Sequence, residues 1–236
     1  MSLALLMSWQ SLMKGVGMAL PSIQQYRFDS SSGLQGNRTS WTLEPARAVL
    51  LVHDMQEHFV RVFEDDHNQL GGAIARMEAL VSAARQRGVP VVYTAQPPAQ
   101  DPRERGLLTD FWGPGLSDPQ AAAVIEPLAP REEETVLTKW RYSAFHRSEL
   151  REQMRLSGRD QLIITGVYAH IGCLTTALVA FMEDIRPFFV ADAMADFGLD
   201  EHQRAAEFVA SRCGQVITAE GALAALQPAG LEERTA

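Results

Sequence analysis

Asp54, Lys139 and Cys173 are the residues whose types could do chemistry, and each follows a different apolar segment of the chain. A carboxyl group can give or take a proton, an ammonium can hold an anion, and a thiol at the start of a helix can become a nucleophile. Other polar side chains follow apolar segments in the same way: Gln96, Tyr142, Tyr168, His170, Asp192 and Asp196. Because ligands of open α/β sheets bind beyond the carboxyl ends of the strands, we expect such side chains to converge on one crevice.

Apolar strand-like segments alternate with helix-like segments along the chain. AVLLVH (48–53) is continuous and β-branched, as in a strand buried on both faces, whereas apolar residues between 74 and 84 recur at helical spacing. The remaining predicted strands are 89–95, 135–139, 161–168, 187–193 and 214–219. Helices are predicted around 119–128 and over 149–156, 174–184, 201–211 and 220–226. About six strands separated by helices predict one α/β domain, with a parallel sheet covered by helices on both faces. The stretch 97–118, rich in Pro, Gly and Asp, predicts a long loop of functional importance.

Composition excludes several classes of protein. The 236 residues are 46% hydrophobic and carry a net charge of -8, which argues against a nucleic-acid surface. No apolar run approaches the roughly 18 residues that span a bilayer, so no membrane partner is expected. Cys173 and Cys213 make no disulfide framework and predict reduced thiols in a cytoplasmic protein. We expect residues 1–17 to be an upstream extension, 18–228 a single domain and 229–236 a flexible tail.

Six stretches of the sequence, between about Met18 and about Leu226, resemble the isochorismatase family. They are LVHDMQEHFV, YTAQP, RGLLTDFWGPGL, LTKWRYSAFHRSEL, LIITGVYAHIGCLTTALVAFMEDI and FFVADAMADF. The resemblance implies a three-layer Rossmann-like fold, a homodimer or larger homo-oligomer, and neither a metal nor an organic cofactor. It also implies hydrolysis of the vinyl ether of isochorismate to 2,3-dihydro-2,3-dihydroxybenzoate and pyruvate, as in siderophore biosynthesis.

The resemblance implies that Asp54 is the general acid that protonates the enolpyruvyl methylene carbon, and that Lys139 orients it and holds an anion. Burial by Val52, Met55 and Phe59 would raise the pKa of Asp54, whereas Lys139 would lower it. We therefore expect the acid to be poised only when a dianionic substrate is bound. The alternatives are that Asp54 caps the following helix and that Lys139 is an exposed residue at a strand end.

The resemblance also implies a set of substrate-binding residues: Gln96, Arg105, Trp112, Tyr142, Tyr168, Gly172 and Phe59. Arg105 would grip a carboxylate from the long loop, which would act as a lid. The alternative is that Arg105 is a solvated loop charge, and Arg103 is a neighbouring arginine that could be mistaken for it. The aromatic residues would form a dry wall whose tyrosine hydroxyls reach the substrate. Gly172 would let the substrate approach the backbone.

Cys173 has two interpretations. Related amide hydrolases such as nicotinamidases use an Asp, a Lys and a Cys, and Cys173 stands at the corresponding place. Because a vinyl ether offers no acyl group, we expect Cys173 to line the site without reacting, and to be a nucleophile only if the protein is an amidase. The same relatives predict a cis peptide bond at Tyr168–Ala169.

Histidines near these motifs are expected to be structural. His53 and His58 flank Asp54, but their spacing is a weak metal signature. His146 and His170 are expected to make structural hydrogen bonds.

Three alternatives to isochorismate hydrolysis stay open. The first is the same reaction on 2-amino-2-deoxyisochorismate in phenazine-type biosynthesis, the second a cysteine amidase, and the third a non-catalytic scaffold. Because no aryl carrier motif follows the last predicted helix, either a separate aryl carrier protein is a further partner or the product is released free.

Overall fold

The computed structural model describes residues 20, 23, 25–29, 36–63 and 69–227. The expected extension at 1–17 and the tail at 229–236 lie outside the described residues. Among the described residues, no helix has the length and apolar character required to cross a membrane.

Six parallel strands form the sheet of the described chain, in the order β3-β2-β1-β4-β5-β6. The strands are β1 (Ala48–His53), β2 (Val91–Ala95), β3 (Thr135–Thr138), β4 (Gln161–Val167), β5 (Arg186–Ala195) and β6 (Gln215–Ile217). In the register, β1 lies between β2 and β4, with Leu50 paired to Val91 on one side and to Ile163 on the other. Strands β1 and β4 are buried along their whole length, which explains their continuous apolar sequences.

Helices cover both faces of the sheet. They are α1 (Glu57–Val60), α2 (Gln69–Arg87), α3 (Pro102–Arg105), α4 (Leu108–Trp112), α5 (Leu150–Leu156), α6 (Leu174–Met182), α7 (Leu199–Arg212) and α8 (Ala219–Leu226). Leu50 packs in a cluster with residues of α2 and α8, and Leu51 in a second cluster with residues of α5, α6 and α7. Successive residues of β1 thus face opposite helical layers, and the predicted three-layer α/β fold is confirmed.

The stretch 97–118 is not the continuous loop that was predicted, because it contains α3 and α4. The Asp101 side chain accepts a hydrogen bond from Arg103 N and Pro102 occupies the first turn, so the start of α3 is well specified. Gly106 and Gly113, both at positive φ, end the two helices. The helix predicted around 119–128 is reduced to one 3₁₀ turn, Glu126–Leu128.

Candidate active site

The strand order reverses at β1, and a cavity of about 270 Å³ lies where the carboxyl ends of the central strands meet. Asp54 follows β1, Gln96 follows β2, Lys139 follows β3 and Tyr168 follows β4, and all four line this cavity. Four of the predicted strand ends therefore do converge on one site.

Asp54 lies at the centre of a short hydrogen-bonded group. Lys139 Nζ donates to Asp54 Oδ2 at 2.5 Å, and Thr94 Oγ1 donates to Asp54 Oδ1 at 2.5 Å. Thr94 also accepts a hydrogen bond from the backbone N–H of Asp54 at 3.0 Å. Asp54 and Lys139 are both buried, and α1 begins beyond Gln56 without a side-chain cap. Asp54 is therefore not a helix cap and Lys139 is not an exposed lysine.

Asp54 is a carboxylate in the free protein. Burial favours its neutral form, but His53, Lys139 and the hydrogen bonds from Lys139 and Thr94 outweigh burial and lower the pKa of Asp54. Burial lowers the pKa of His53 to about 4, so His53 is neutral near pH 7 and Lys139 is the cation that stabilises the carboxylate. The expected rise in the pKa of Asp54 is therefore absent without a ligand.

A buried histidine explains why residue 172 is glycine. His53 Nδ1 lies 2.9 Å from Val167 O, His53 Nε2 lies 3.3 Å from Tyr142 O, and Nδ1 is 3.6 Å from Asp54 Oδ2. A Cβ atom on Gly172 would lie only 2.1 Å from His53 Cε1. Gly172 lines the cavity as predicted, but its missing side chain makes room for the imidazole. The predicted reason, close approach of a ligand to the backbone, is not needed.

Arg105 reaches the cavity from α3. Its side chain is buried, Nε donates to Gly113 O at 2.6 Å, and Nη1 donates to Gln96 Oε1 at 3.2 Å. A Cβ atom on Gly115 would lie 2.5 Å from Arg105 Nη1, so this glycine leaves space for the guanidinium. The neighbouring Arg103 is exposed. The predicted cavity arginine is thus held by its neighbours and is not part of an open loop.

Aromatic side chains form much of the cavity wall, as predicted for Phe59, Trp112, Tyr142 and Tyr168. Trp112 Nε1 donates to the Tyr142 hydroxyl at 2.9 Å, which joins α4 to the segment after β3. The Tyr168 hydroxyl donates to Phe59 O at 2.8 Å. This hydroxyl is already bonded to the protein, contrary to the expectation that it reaches a substrate. Phe197, which sequence reasoning missed, packs against Tyr168 with ring centroids 4.6 Å apart.

Cys173 does not line the cavity. It ends a π-helical turn, Ala169–Cys173, and its side chain is fully buried in the apolar cluster against α5, α6 and α7. Its Sγ lies 3.9 Å from Thr165 O, and burial and the charge of Asp54 raise the pKa of the thiol. The expectation that Cys173 lines the site is therefore wrong, because the turn directs its side chain into the core.

The cis peptide bond joins Val167 to Tyr168, one bond earlier than predicted, because β4 ends at Val167. His170 has the expected structural role, since its Nδ1 lies 2.5 Å from Asp196 Oδ1. Across the part of the chain that the structure describes, no group of three or more His, Cys, Asp or Glu side chains is arranged to hold a metal ion.

Two further residues of the site were missed besides Phe197. Thr94, a polar residue inside an otherwise apolar strand, lies behind the cavity and donates to Asp54, whereas Arg141, two residues after Lys139, lines the cavity itself. A polar residue one position before a strand end was the available signal for Thr94. Arg141 could have been found by counting the cations near Lys139.

Solved structures share this fold. A cysteine hydrolase from Pseudomonas syringae pv. phaseolicola 1448A matches with a TM-score of 0.72 at 23% identity, covering 79% of this chain and 95% of its own. An isochorismatase family protein from Burkholderia thailandensis matches with a TM-score of 0.68 at 27% identity, covering 79% and 98%.

Several named proteins are similar to this chain in sequence. The isochorismatase of Bacillus subtilis (strain 168) is 52% identical over 222 residues, covering 93% of this chain and 71% of the relative. Enterobactin synthase component B of Escherichia coli (strain K12) is 50% identical over 213 residues, covering 90% and 75%. Phenazine biosynthesis protein PhzD of Pseudomonas fluorescens is 48% identical over 203 residues, covering 85% and 97%. The family model described as the isochorismatase domain matches residues 48–221, and the chain belongs to the isochorismatase family of hydrolases.

Proposed function

We propose that this protein hydrolyses the vinyl ether of isochorismate, with Asp54 as the general acid. The observation that carries the proposal is a buried carboxyl group, bonded to Lys139 and Thr94, in a cavity whose lining includes cations and aromatic rings. The 52% identity to a relative named isochorismatase supports the same substrate.

The reaction needs one proton and one water molecule. Protonated Asp54 gives its proton to the terminal methylene carbon of the enolpyruvyl group, and the vinyl π electrons form the new C–H bond. The ether carbon becomes an oxocarbenium ion, which water captures with loss of a proton to the Asp54 carboxylate. The hemiketal then breaks its bond to the ring oxygen. Its hydroxyl proton passes to that leaving oxygen, and pyruvate and 2,3-dihydro-2,3-dihydroxybenzoate are released. No protein nucleophile takes part.

Substrate binding prepares the acid. In the free protein the pKa of Asp54 is lowered, because the charges of His53 and Lys139 and the hydrogen bonds from Lys139 and Thr94 outweigh its burial. Two substrate carboxylates placed beside Asp54 oppose its ionisation, and they compete for the field of Lys139. Asp54 therefore takes up a proton when the dianion binds. The aromatic wall excludes bulk water, so that this competition occurs in a medium of low dielectric constant.

The test is release of pyruvate from isochorismate, coupled to lactate dehydrogenase. Wild-type protein is expected to turn over isochorismate, and Asp54→Asn to lose about 100- to 10,000-fold in kcat because the general acid is gone. Asp110→Asn is the matched control, since Asp110 is exposed, and it should keep wild-type activity. Absence of pyruvate from the wild type, or full activity of Asp54→Asn, would overturn the proposal.

The second candidate is the same chemistry on 2-amino-2-deoxyisochorismate, supported by the 48% identity to a relative named phenazine biosynthesis protein PhzD. The two substrates differ in one ring substituent, so Asp54 would act identically on both. The ratio of kcat/KM for the two compounds decides between them.

A cysteine amidase is the third candidate, and it has less support. A nucleophilic thiol must reach its substrate, whereas Cys173 is fully buried and its pKa is raised by burial. Under our proposal Cys173→Ala keeps pyruvate release within about threefold of wild type, because a small buried group replaces another. Hydrolysis of an amide by the wild type that is lost in Cys173→Ala would favour the amidase.

The proposal extends to the surroundings of the enzyme. We propose that the protein is a homodimer or larger homo-oligomer and that it is located in the cytoplasm. We also propose a separate aryl carrier protein as a partner. The free thiols of Cys173 and Cys213 support a reducing compartment.

A further inference from the structure

The cavity carries more positive charge than its catalytic pair needs. Among the residues that the structure describes, three cations line it, Lys139, Arg105 and Arg141, together with one carboxylate, Asp54. Burial and nearby arginines lower the pKa of His58, so His58 adds no charge near neutral pH. Two positive charges are left over, in a protein whose net charge is -8. A ligand with two carboxylates would balance them.

Lys139 already has an anionic partner. Its ammonium bonds to Asp54 at 2.5 Å, and both groups are buried. Its charge is shared with that carboxylate, so it is a weaker site for a second anion. A ligand carboxylate in this cavity therefore finds its strongest free partners elsewhere.

The two arginines are those free partners. Neither pairs with a carboxylate among the described residues. Arg105 bonds to Gly113 O and to side-chain amide oxygens, and Arg141 Nη1 bonds to Glu104 O at 2.9 Å and to Trp140 O at 2.6 Å. Nη2 of each guanidinium makes no hydrogen bond within the described chain, so each can still present N–H groups to an anion. Burial and the charge of Arg141 lower the pKa of Arg105, as expected for two guanidinium groups with no anion between them.

We propose that Arg141 is a substrate-binding residue that holds one carboxylate of a dicarboxylate substrate, while Arg105 holds the other. This inference rests on the proposed function and specifies how its substrate is recognised. Isochorismate carries one carboxylate on its ring and one on its enolpyruvyl group, and hydrolysis leaves one on each product. Arg141 and Arg105 thus select a two-carboxylate vinyl ether over an ether with a single carboxylate.

A purely structural role of Arg141 makes a different prediction. Arg141 bonds to the carbonyl of Glu104, next to Arg105, and its Nη2 lies 3.0 Å from the position of a Cβ on Gly106. If Arg141 only held α3 in place, its loss would displace Arg105. The effects of the two arginines would then fall on the same carboxylate.

The experiment measures binding of each half of the substrate separately, by using the two products as ligands. Binding of pyruvate and of 2,3-dihydro-2,3-dihydroxybenzoate is measured by ligand-observed NMR titration for wild type, Arg141→Gln and Arg105→Gln. Each variant should weaken a different product by about 10- to 100-fold, the range for one charge-assisted contact, and leave the other within about twofold. Arg103→Gln, the same change at an exposed residue of α3, should weaken neither product. Arg141→Lys keeps the charge, should weaken the same product less, and serves if Arg141→Gln does not fold.

Unchanged binding of both products in Arg141→Gln would overturn the inference, as would weakening of the same product by Arg141→Gln and Arg105→Gln. Pyruvate release by the wild type is measured first. If the wild type turns over isochorismate, but Arg141→Gln and Arg105→Gln do not weaken the binding of different products, only the role of Arg141 is refuted. A wild type that neither binds nor cleaves isochorismate refutes the proposed function, and this inference with it.

Discussion

Replacing Lys139 by Met should change how the ionisation of Asp54 makes the unfolding free energy depend on pH. Between pH 7 and 5 the contribution of Asp54 is constant in the wild type, whereas in the variant acidification should stabilise the fold. Met has a similar length, so the change removes the ammonium 2.5 Å from Asp54 Oδ2 and leaves apolar volume in its place. Asp54 stays buried and keeps the hydrogen bond from Thr94. The variant therefore contains a buried carboxylate without its cation.

At neutral pH, Lys139→Met should lower the unfolding free energy by about 3–5 kcal/mol, the range for removing one partner of a buried ion pair. In the wild type, the lowered pKa of Asp54 keeps it ionised in folded and unfolded chains above about pH 4, so its contribution is constant from pH 7 to 5. That contribution is lost only as the pH falls through the lowered pKa of the folded state. In the variant, burial raises the pKa of Asp54 above its unfolded value. Between that raised pKa and about pH 4, the folded chain holds a proton that the unfolded chain lacks. The destabilisation therefore shrinks by up to about 1.4 kcal/mol per pH unit of acidification.

Urea unfolding at pH 7, 6 and 5 measures this difference for wild type and Lys139→Met. Taking the difference at each pH removes the titration of the shared groups whose pKa values the substitution leaves unchanged. Asp54→Asn/Lys139→Met is the control, because it has no carboxyl group at this position and its difference from Asp54→Asn should not depend on pH. A destabilisation by Lys139→Met that is equal at pH 7 and pH 5 would refute the reasoning.

Two other substitutions test the surroundings of Asp54. Thr94→Val removes the donor to Asp54 Oδ1 and should raise the pKa of Asp54. The pH dependence of pyruvate release should therefore shift to higher pH, and Thr94→Ser should restore the wild-type profile. An unshifted pH profile would contradict this role. Gly172→Ala places a Cβ 2.1 Å from His53 Cε1 and should cost about 1–3 kcal/mol in urea unfolding together with a loss of kcat. Gly221→Ala, in α8, is the control, because a Cβ there has no contact closer than 3.4 Å and the change should be neutral or stabilising. Equal stability of the two variants would contradict the prediction, since it would show that His53 moves aside without a cost in free energy.

The sheet could be predicted from the sequence because its central strands are simple in composition. Residues 48–53 and 161–167 are buried along their whole length, so their continuous apolar runs identify them as strands of a parallel sheet. The helices α3 and α4 were missed because four and five residues are too few to show a helical period. Their limits depend on the cap at Asp101 and on glycines at positive φ, which are also common in loops.

The reactive pair could be predicted because Asp54 and Lys139 each follow a strand, and parallel strands bring their carboxyl ends together. The orientation of Cys173 could not, because it depends on which side of the π-helical turn faces the core. The reason for Gly172 was also out of reach. Residue 172 is close to His53, which is 119 positions earlier in the chain, and no local sequence pattern indicates this contact.

The charges of the site suggest how one cavity can both bind an anion tightly and protonate carbon. Lys139 keeps Asp54 ionised in the free protein, and this state alone would make a poor acid. The same field attracts a ligand with two negative charges, together with the guanidinium groups of Arg105 and Arg141, which pair with no carboxylate among the described residues. Once bound, that ligand competes for the cations and raises the proton affinity of Asp54. A ligand with one carboxylate would do so less, so the charge that selects the substrate is also the charge that prepares the acid.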